Sequence, residues 1–330
     1  MRGTAEMPEP QTSIIICTCN RSIALQETLA SFAELDIPPQ MSVELIVVDN
    51  ASTDNTAEVV TSCNLPAMQV RYVHEPCRGK GYAYNRGMTE ARGEVFLFTD
   101  DDMRVPADWI AGMCEPILSG QADAVAGGVK IAPHLERSWM TPGHKAWFAA
   151  SDTDASPVKE NEAAEIMVGA NMAYSKNVLA KVPSYDVELG PGALGLNDDI
   201  LYSSQLKEAG YRMVSTNAAV VEHHFQEARL TRESLLKATE QYAASCAYLA
   251  HHWEHTEFSL PGLRLTKNIA QLAWWRSQNR ELICQAEGLS LQEHTYVRNV
   301  RFFEQYLVER KRPRNYEKRG LVKLNAEQTK

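Results

Sequence analysis

Val95-Phe-Leu-Phe-Thr-Asp-Asp-Asp102 decides the reading of this chain. Four apolar residues and a threonine run straight into three carboxylates. A strand that is apolar on both faces belongs in a parallel sheet covered by helices on both sides. Similar runs lie upstream at Ser13–Cys17, Val43–Val48 and Val70–Val73. Between them come helical segments: Leu25, Leu29 and Phe32 at helical spacing, then Thr56–Cys63 and Gly81–Ala91. Strands alternating with helices predict an α/β fold with a Rossmann-like, mostly parallel sheet.

Downstream the pattern is less regular. Ala124–Ile131 and Met167–Tyr174 read as strands, and Ser151–Glu162 as a polar loop. Asp198–Ala209 reads as a helix ended by Gly210, followed by strands Tyr211–Ser215 and Ala218–Glu222. After about Gln226 the pattern is helical, and Ser290-Leu-Gln-Glu293 is a capping box opening a long helix. The expected division is a catalytic α/β domain over residues 1–228 and a helical C-terminal extension with a basic tail over 229–330.

The composition agrees with a folded chain. Of 330 residues 44% are hydrophobic and 23% charged, enough for a core without disulfides or metals. No apolar run is long enough to cross a bilayer. Met1–Gln11 lacks the apolar stretch of a secretory signal, so the expected location is cytoplasmic. Seven scattered cysteines with no C-x-x-C pair read as reduced thiols. The net charge is −9, yet residues 298–330 carry ten Lys/Arg against four Asp/Glu. An acidic main body argues against a nucleic-acid partner. Arg310-Lys-Arg-Pro-Arg314, preceded by Val297, Val300, Phe303 and Leu307, reads as a solvated charge run or as a peripheral contact with an anionic membrane.

Ligands of parallel α/β sheets bind beyond the carboxyl ends of the strands. There the chain places Thr18-Cys-Asn-Arg21, Asp49-Asn-Ala-Ser-Thr-Asp54, His74–Gly81 and Asp100-Asp-Asp102. Three crowded aspartates repel one another unless a cation balances them, and hard divalent ions prefer oxygen ligands. Asp100 and Asp102 point to the same side if the strand continues. The competing reading is a solvated acidic turn.

This ordered set resembles the nucleotide-sugar-dependent, inverting glycosyltransferases of family 2, which have the GT-A fold. Ser13–Arg21 looks like the family's opening strand and nucleotide loop, and Val47–Asp54 like its second-strand signature. Gly79 through Asn85-Arg-Gly87 resembles its glycine–arginine–asparagine segment, and Asp100-Asp-Asp102 its D-x-D motif. Gly169-Ala-Asn-Met-Ala173, Asn197-Asp-Asp199, Gly210-Tyr-Arg212 and Ala219-Val-Val-Glu-His223 follow in the family's order. The resemblance covers roughly residues 12–225.

The resemblance implies the following roles. Thr18, Asn20 and Arg21 lie in the nucleotide-contacting loop. Asp49 contacts the nucleobase, and Arg78 or Lys80 the nucleotide or its phosphates. Asp100 faces ribose or donor sugar, with Asp101 beside it on the donor side. Asp102 ligates Mn²⁺ or Mg²⁺. His223 is a further metal or diphosphate contact, with His224 as its rival. Asp199 is the general base, and Asp198 and Asn171 lie towards the acceptor or donor sugar. For Asn171 a satisfied loop amide is the equal alternative. The sequence departs from the family at Asp198-Asp199, where Glu-Asp is usual, and at Cys19, where Tyr is usual. The implied donor is a nucleoside-diphosphate sugar, UDP-linked by preference, and the implied acceptor is a hydroxyl of a glycan, a lipid-linked sugar or a small molecule.

Elementary chemistry asks for the same parts. A diphosphate leaves once its charge is neutralised, and an acceptor hydroxyl attacks once a carboxylate takes its proton. Gly190-Pro-Gly-Ala-Leu-Gly195 matches G-x-G-x-x-G but follows no buried strand, so it reads as a mobile loop beside Asp198-Asp199, a lid over the acceptor. His251 and His255 read as a polar helix end, and Trp253, Trp274 and Trp275 as packing residues. Two other functions compete: a sugar-phosphate nucleotidyltransferase, which needs a G-x-G-T-R loop that Thr18–Arg21 does not supply, and a non-catalytic nucleotide- or carbohydrate-binding protein.

Overall fold

A computed structural model describes residues 9–150 and 163–324. The expected loop Ser151–Glu162 lies outside the described residues. Eight strands form one sheet: β1 (Thr12–Thr18), β2 (Val43–Asp49), β3 (Gln69–His74), β4 (Val95–Asp100), β5 (Met103–Arg104), β6 (Ala124–Ile131), β7 (Asn171–Ser175) and β8 (Met213–His223). Their order is β3-β2-β1-β4-β7-β6-β8-β5. The β3-β2-β1-β4 half is parallel; β7 runs antiparallel to both β4 and β6, and β6 and β8 are parallel.

Each apolar strand sends successive side chains to opposite faces. Ile14 and Ile16 pack with Leu25, Leu45, Val47 and Trp109 on one face. Ile15 packs with Ile46, Val48, Tyr84 and Phe98 on the other. That two-sided burial is why these strands show no polar alternation. Helices α1 (Ser22–Ser31), α2 (Thr56–Thr61), α3 (Lys80–Glu90) and α4 (Trp109–Leu118) join the early strands; α5 (Pro142–Ala146) and α6 (Asp198–Glu208) follow. Buried Glu44 links the strand starts: it accepts from Ser13 Oγ at 2.7 Å and pairs with Arg71 at 2.9 Å. The charge is thus neutralised at the end of the sheet opposite the acidic loops.

Three details differ from the sequence reading. The strands expected at Tyr211–Ser215 and Ala218–Glu222 are one strand, β8, which spans a register shift against β6 between Gly127 and Val129. The strand expected from Met167 begins only at Asn171, because a turn closes with Asn171 N–H donating to Val168 O at 3.0 Å. Helix α4 carries Pro116 in its interior, which hid it from a propensity-based reading.

The C-terminal helices are α7 (Arg232–His252), α8 (Pro261–Gln278), α9 (Arg280–Ile283) and α10 (Leu291–Glu309). Ser290 caps α10 by accepting from Glu293 N–H at 3.1 Å. The Glu293 carboxylate does not return to Ser290; it pairs with Arg232 and Arg276 and so ties α7 and α8 to α10. Buried Asp186 accepts from Tyr248 Oη, Tyr316 Oη and Lys323 Nζ, and Glu188 pairs with Arg312 and Lys323. Residues past 228 therefore neutralise acids within the preceding part, which the expected boundary near 228 does not convey. Among the described residues no helix is long and apolar enough to cross a membrane.

Candidate active site

Register brings the strand ends together. Thr18 lies beside Asp49, Asp49 beside His74, and Cys17 beside Asp100. Strand β5 then pairs with β8 so that Met103 faces His223, and His224 N–H donates to Asp102 O at 2.8 Å. Residues distant in sequence thus meet at one edge of the sheet.

Arg21 organises the acidic run. Its Nη1 lies 2.9 Å from Asp101 Oδ1 and its Nη2 2.6 Å from Asp102 Oδ2. Thr18 Oγ1 donates to Asp101 Oδ2 at 2.7 Å. The two carboxylates diverge electrostatically. Burial raises Asp101 to about 7, with Arg21 opposing the rise. Burial pushes Asp102 up as well, but His223 and Arg21 outweigh it and hold Asp102 far below the usual carboxylate range. Asp100 is half-buried and accepts from Lys80 Nζ at 2.7 Å.

His223 donates through Nδ1 to Phe148 O at 2.7 Å, which assigns the proton to Nδ1. Its Nε2 lies 3.4 Å from Asp102 Oδ2, where a shared proton or a cation joins the two. His224 points elsewhere, with Nε2 2.6 Å from Glu222 Oε1. Arg229 was missed by the sequence reading. It lies at the surface with its guanidinium over Phe148 and Phe225, and Nη1 lies 3.4 Å from His223 Nε2. Only the tertiary fold shows this, because Phe148 is remote in sequence.

Beyond the ends of β1, β2 and β3 the loops lock one another. Asn20, at φ 54°, accepts through Oδ1 from Thr53 N–H at 2.7 Å. The Asp49 carboxylate accepts from Ser52 N–H at 2.9 Å and Tyr72 Oη at 2.7 Å, so it shapes the turn as well as facing the crevice. Asn50 accepts from Gly79 N–H at 2.8 Å and donates to Cys77 O at 2.6 Å. Arg78 is exposed beside this loop, and no ion pair engages it among the described residues.

The second acidic pair opens α6. Asn197, at φ 70°, donates to Ser245 Oγ at 2.9 Å and anchors the turn to α7. Asp198 is buried, and burial and Asp199 together raise its carboxyl to about 7. Burial raises Asp199 too, against the hydrogen bond from Gly169 N–H at 3.0 Å and the charge of Lys80. Gly169 itself sits against Lys80 and the otherwise unpartnered Tyr84 Oη, where a methyl group would lie 2.4 Å from the hydroxyl. Lys80 thus pairs with Asp100 and lies against Gly169, whose N–H donates to Asp199.

Several expectations are corrected. Asn171 is fully buried; its amide accepts from Trp109 Nε1 and donates to Gly128 O and Ala219 O, so no polar atom remains for a sugar. The glycine-rich segment is held at both ends: at its start Lys80 N–H donates to Pro191 O at 2.9 Å and Gly192, at φ 90°, lies against Gly79, and at its end Gly195 lies against Gln241. The cationic tail is largely paired, Arg312 with Glu188 and Glu309 and Arg314 with Glu257. Val297 is buried and Phe303 meets Phe258, so that face of α10 is already covered. His251 and His255 bond to Arg312 O and Tyr316 O. Trp253 and Trp275 are packing residues, but Trp274 is exposed. A hollow of about 490 Å³ opens between the glycine-rich loop and the C-terminal helices, lined by Leu194, Gln241, Leu272 and Val300 and by none of the acidic residues above. Among the described residues no three His, Cys, Asp or Glu side chains form a ready cation site.

Comparison with known proteins fits this geometry. A succinoglycan biosynthesis protein, ExoM, of Rhizobium meliloti is 32% identical over 142 residues, covering 42% of this chain and 45% of that protein. A dolichol-phosphate mannosyltransferase of Pyrococcus furiosus is 33% identical over 118 residues, covering 35% of this chain and 32% of its own. The matched segment thus spans less than half the length of these curated relatives. A solved mannosyltransferase from Pyrobaculum calidifontis, in complex with GDP-Man and Mn²⁺, superposes with a TM-score of 0.55 at 20% identity, covering 92% of this chain and 87% of that one. The sequence model described as glycosyl transferase family 2 matches residues 13–182, just over half of the chain. The chain belongs to glycosyl transferase family 2, and its fold is that of the GT-A enzymes.

Proposed function

We propose that the chain is an inverting, metal-dependent glycosyltransferase that moves a sugar from a nucleoside-diphosphate sugar to an acceptor hydroxyl. The observation that carries this reading is the place of Lys80, which pairs with Asp100 at the end of β4 and lies against Gly169, whose N–H donates to Asp199 of the second carboxylate pair.

The residues fit a hard divalent cation. The Asp102 carboxylate and Nε2 of His223 face one another and are each oriented from behind, by Arg21 and by the Phe148 carbonyl. Two protein ligands with substrate phosphates is a common arrangement for Mg²⁺, and it explains why no third protein ligand is needed. When bound, Mn²⁺ or Mg²⁺ would neutralise the diphosphate as it departs.

The remaining steps belong to the chain itself. Arg78, Lys80 and Arg229 surround the diphosphate with positive charge. Thr18, Asn20 and Asp49 shape the nucleotide loops. Asp199, half-buried at the start of α6, takes the acceptor proton as the acceptor oxygen bonds to the anomeric carbon. The bond from that carbon to the diphosphate oxygen breaks and its electron pair leaves with the nucleotide. Attack from the face opposite the leaving group inverts the anomeric centre. Asp198 is buried against Lys80 and serves as the second member of the dyad. The solved neighbour's complex with GDP-Man and Mn²⁺ supports the donor class and the metal. The relatives' names support a glycan or lipid-linked acceptor.

The test is a thermal-shift titration with UDP, GDP, dTDP and NAD, each with Mn²⁺ and with EDTA. One diphosphate should stabilise only with metal, by about 2.7 kcal/mol at a hundredfold its dissociation constant. Asp102→Asn should abolish that dependence. Asp199→Asn should keep donor binding and lower transfer by about 10² to 10⁴. Metal-independent stabilisation by NAD, or silence towards every nucleotide, would overturn the reading.

A further inference from the structure

Among the described residues the outer face of α8 has no partner. Leu260, at its N-cap, is 70% exposed, Leu263 66%, Ile269 47% and Trp274 65%. On a helix Leu263, Lys267, Ala270 and Trp274 fall in one stripe, at spacings of four, three and four. The opposite face is the buried one. There Trp275 packs near Tyr296, and Arg276 pairs with Glu293 of α10. At the other end Phe258 meets Phe302, Phe303 and Tyr306. Helix α8 therefore lies antiparallel along α10 and presents a mixed apolar and cationic surface outward.

Charge identifies what that surface meets. The chain as a whole carries −9, yet Pro261–Gln278 contains Arg264, Lys267 and Arg276 and no acid. Neither Arg264 nor Lys267 has an ion-pair partner among the described residues; Arg264 only donates to Ser259 O. Exposed Arg310 and Lys311 follow α10 at the end where α8 begins. Nearby Glu257 is neutralised by Arg314. Exposed leucine and tryptophan flanked by unpaired cations make an interfacial helix, which binds by apolar insertion together with attraction to anionic lipid. A second copy of the chain is a poorer occupant. A two-fold contact would set Arg264 and Lys267 against their own copies on a helix that carries no acid.

We propose that α8 is a membrane-docking helix, and that its Leu263–Trp274 face seats the protein on an anionic lipid surface. This replaces the C-terminal run as the lipid-facing element and is independent of the catalytic reading. The test is vesicle flotation with the full chain, using phosphatidylcholine alone and equal parts phosphatidylcholine and phosphatidylglycerol. Wild type should float with the anionic vesicles, less so at high salt, with a blue shift of tryptophan emission. Arg264→Glu with Lys267→Glu should weaken binding by more than about tenfold, and Leu263→Glu with Trp274→Glu should abolish both flotation and the blue shift. These side chains are exposed, so melting temperature and donor binding should be unchanged. Failure of wild type to float, or flotation of both variants as wild type, would overturn the proposal. So would a concentration-dependent dimer, lost in Leu263→Glu with Trp274→Glu, in a protein that ignores vesicles.

Discussion

At the scale of single residues, burial gives similar carboxyls different duties. Asp199 is raised by burial, so its base form grows as pH rises. The rate kcat should climb with pH through a limb lying above the ordinary carboxylate value of about 4. Lys80→Met removes a charge that lowers Asp198 and Asp199, and should move that limb further up. A limb at the ordinary value would contradict the assignment of the base. Asn171→Ala leaves Trp109 Nε1 and two carbonyls unsatisfied and should cost about 1–3 kcal/mol each way the loss is counted. It should leave KM for the donor unchanged, which steady-state kinetics and denaturant unfolding together would check. Asp100 and Asp102 were conspicuous in the sequence because they follow a buried apolar strand, whereas Asp199, in the first turn of α6, was singled out only through the family resemblance. Arg229 was not, since nothing local in Gln226–Leu230 announces two aromatic partners. Asn171 misled because its neighbours are the residues that line the crevice.

At the scale of elements, the parallel strands were legible because continuous apolar runs have few other homes. Strand β8 was split in the reading because Thr216-Asn-Ala-Ala219 breaks the apolar pattern while hydrogen bonding to β6 carries on around an irregular register. The glycine-rich loop was read as free because its composition permits many conformations; contact with α3 and α7 selects one. Gly192 sits at φ 90° against Gly79. Gly192→Ala should cost about 1–2 kcal/mol through the left-handed backbone alone. It should also lower kcat/KM by disturbing the start of α3 and hence Lys80. An unchanged melting curve and unchanged kcat/KM would show that the loop does not bear on α3. Glu44→Ala tests the opposite end of the sheet. It leaves Arg71 with Glu90 alone and takes the acceptor from Ser13 Oγ and Arg92 N–H, and should cost about 1–3 kcal/mol by denaturant unfolding, with donor affinity untouched.

At the scale of the whole molecule, the change of pattern near residue 228 was legible, but not its consequence. Asp186 is held below the usual carboxylate range: burial opposes this, and Lys323 prevails. A carboxyl depressed in the folded state stabilises above its unfolded pKa and loses that contribution as pH falls through its folded value. A chain cut after residue 228 loses Tyr248, Tyr316 and Lys323 together and should be unfolded or aggregated at neutral pH by circular dichroism; a cooperative melt would argue for two separable units. The pinned glycine-rich loop has one more consequence. It touches the nucleotide side through Lys80 and Gly79 and the C-terminal helices through Gln241. A ligand seated against α7 that shifts this loop changes the grip on the nucleotide. By reciprocity the nucleotide must then alter that ligand's affinity by the same factor. Two such ligands are not independent guests: whichever binds first, their coupling runs through a single stretch of backbone.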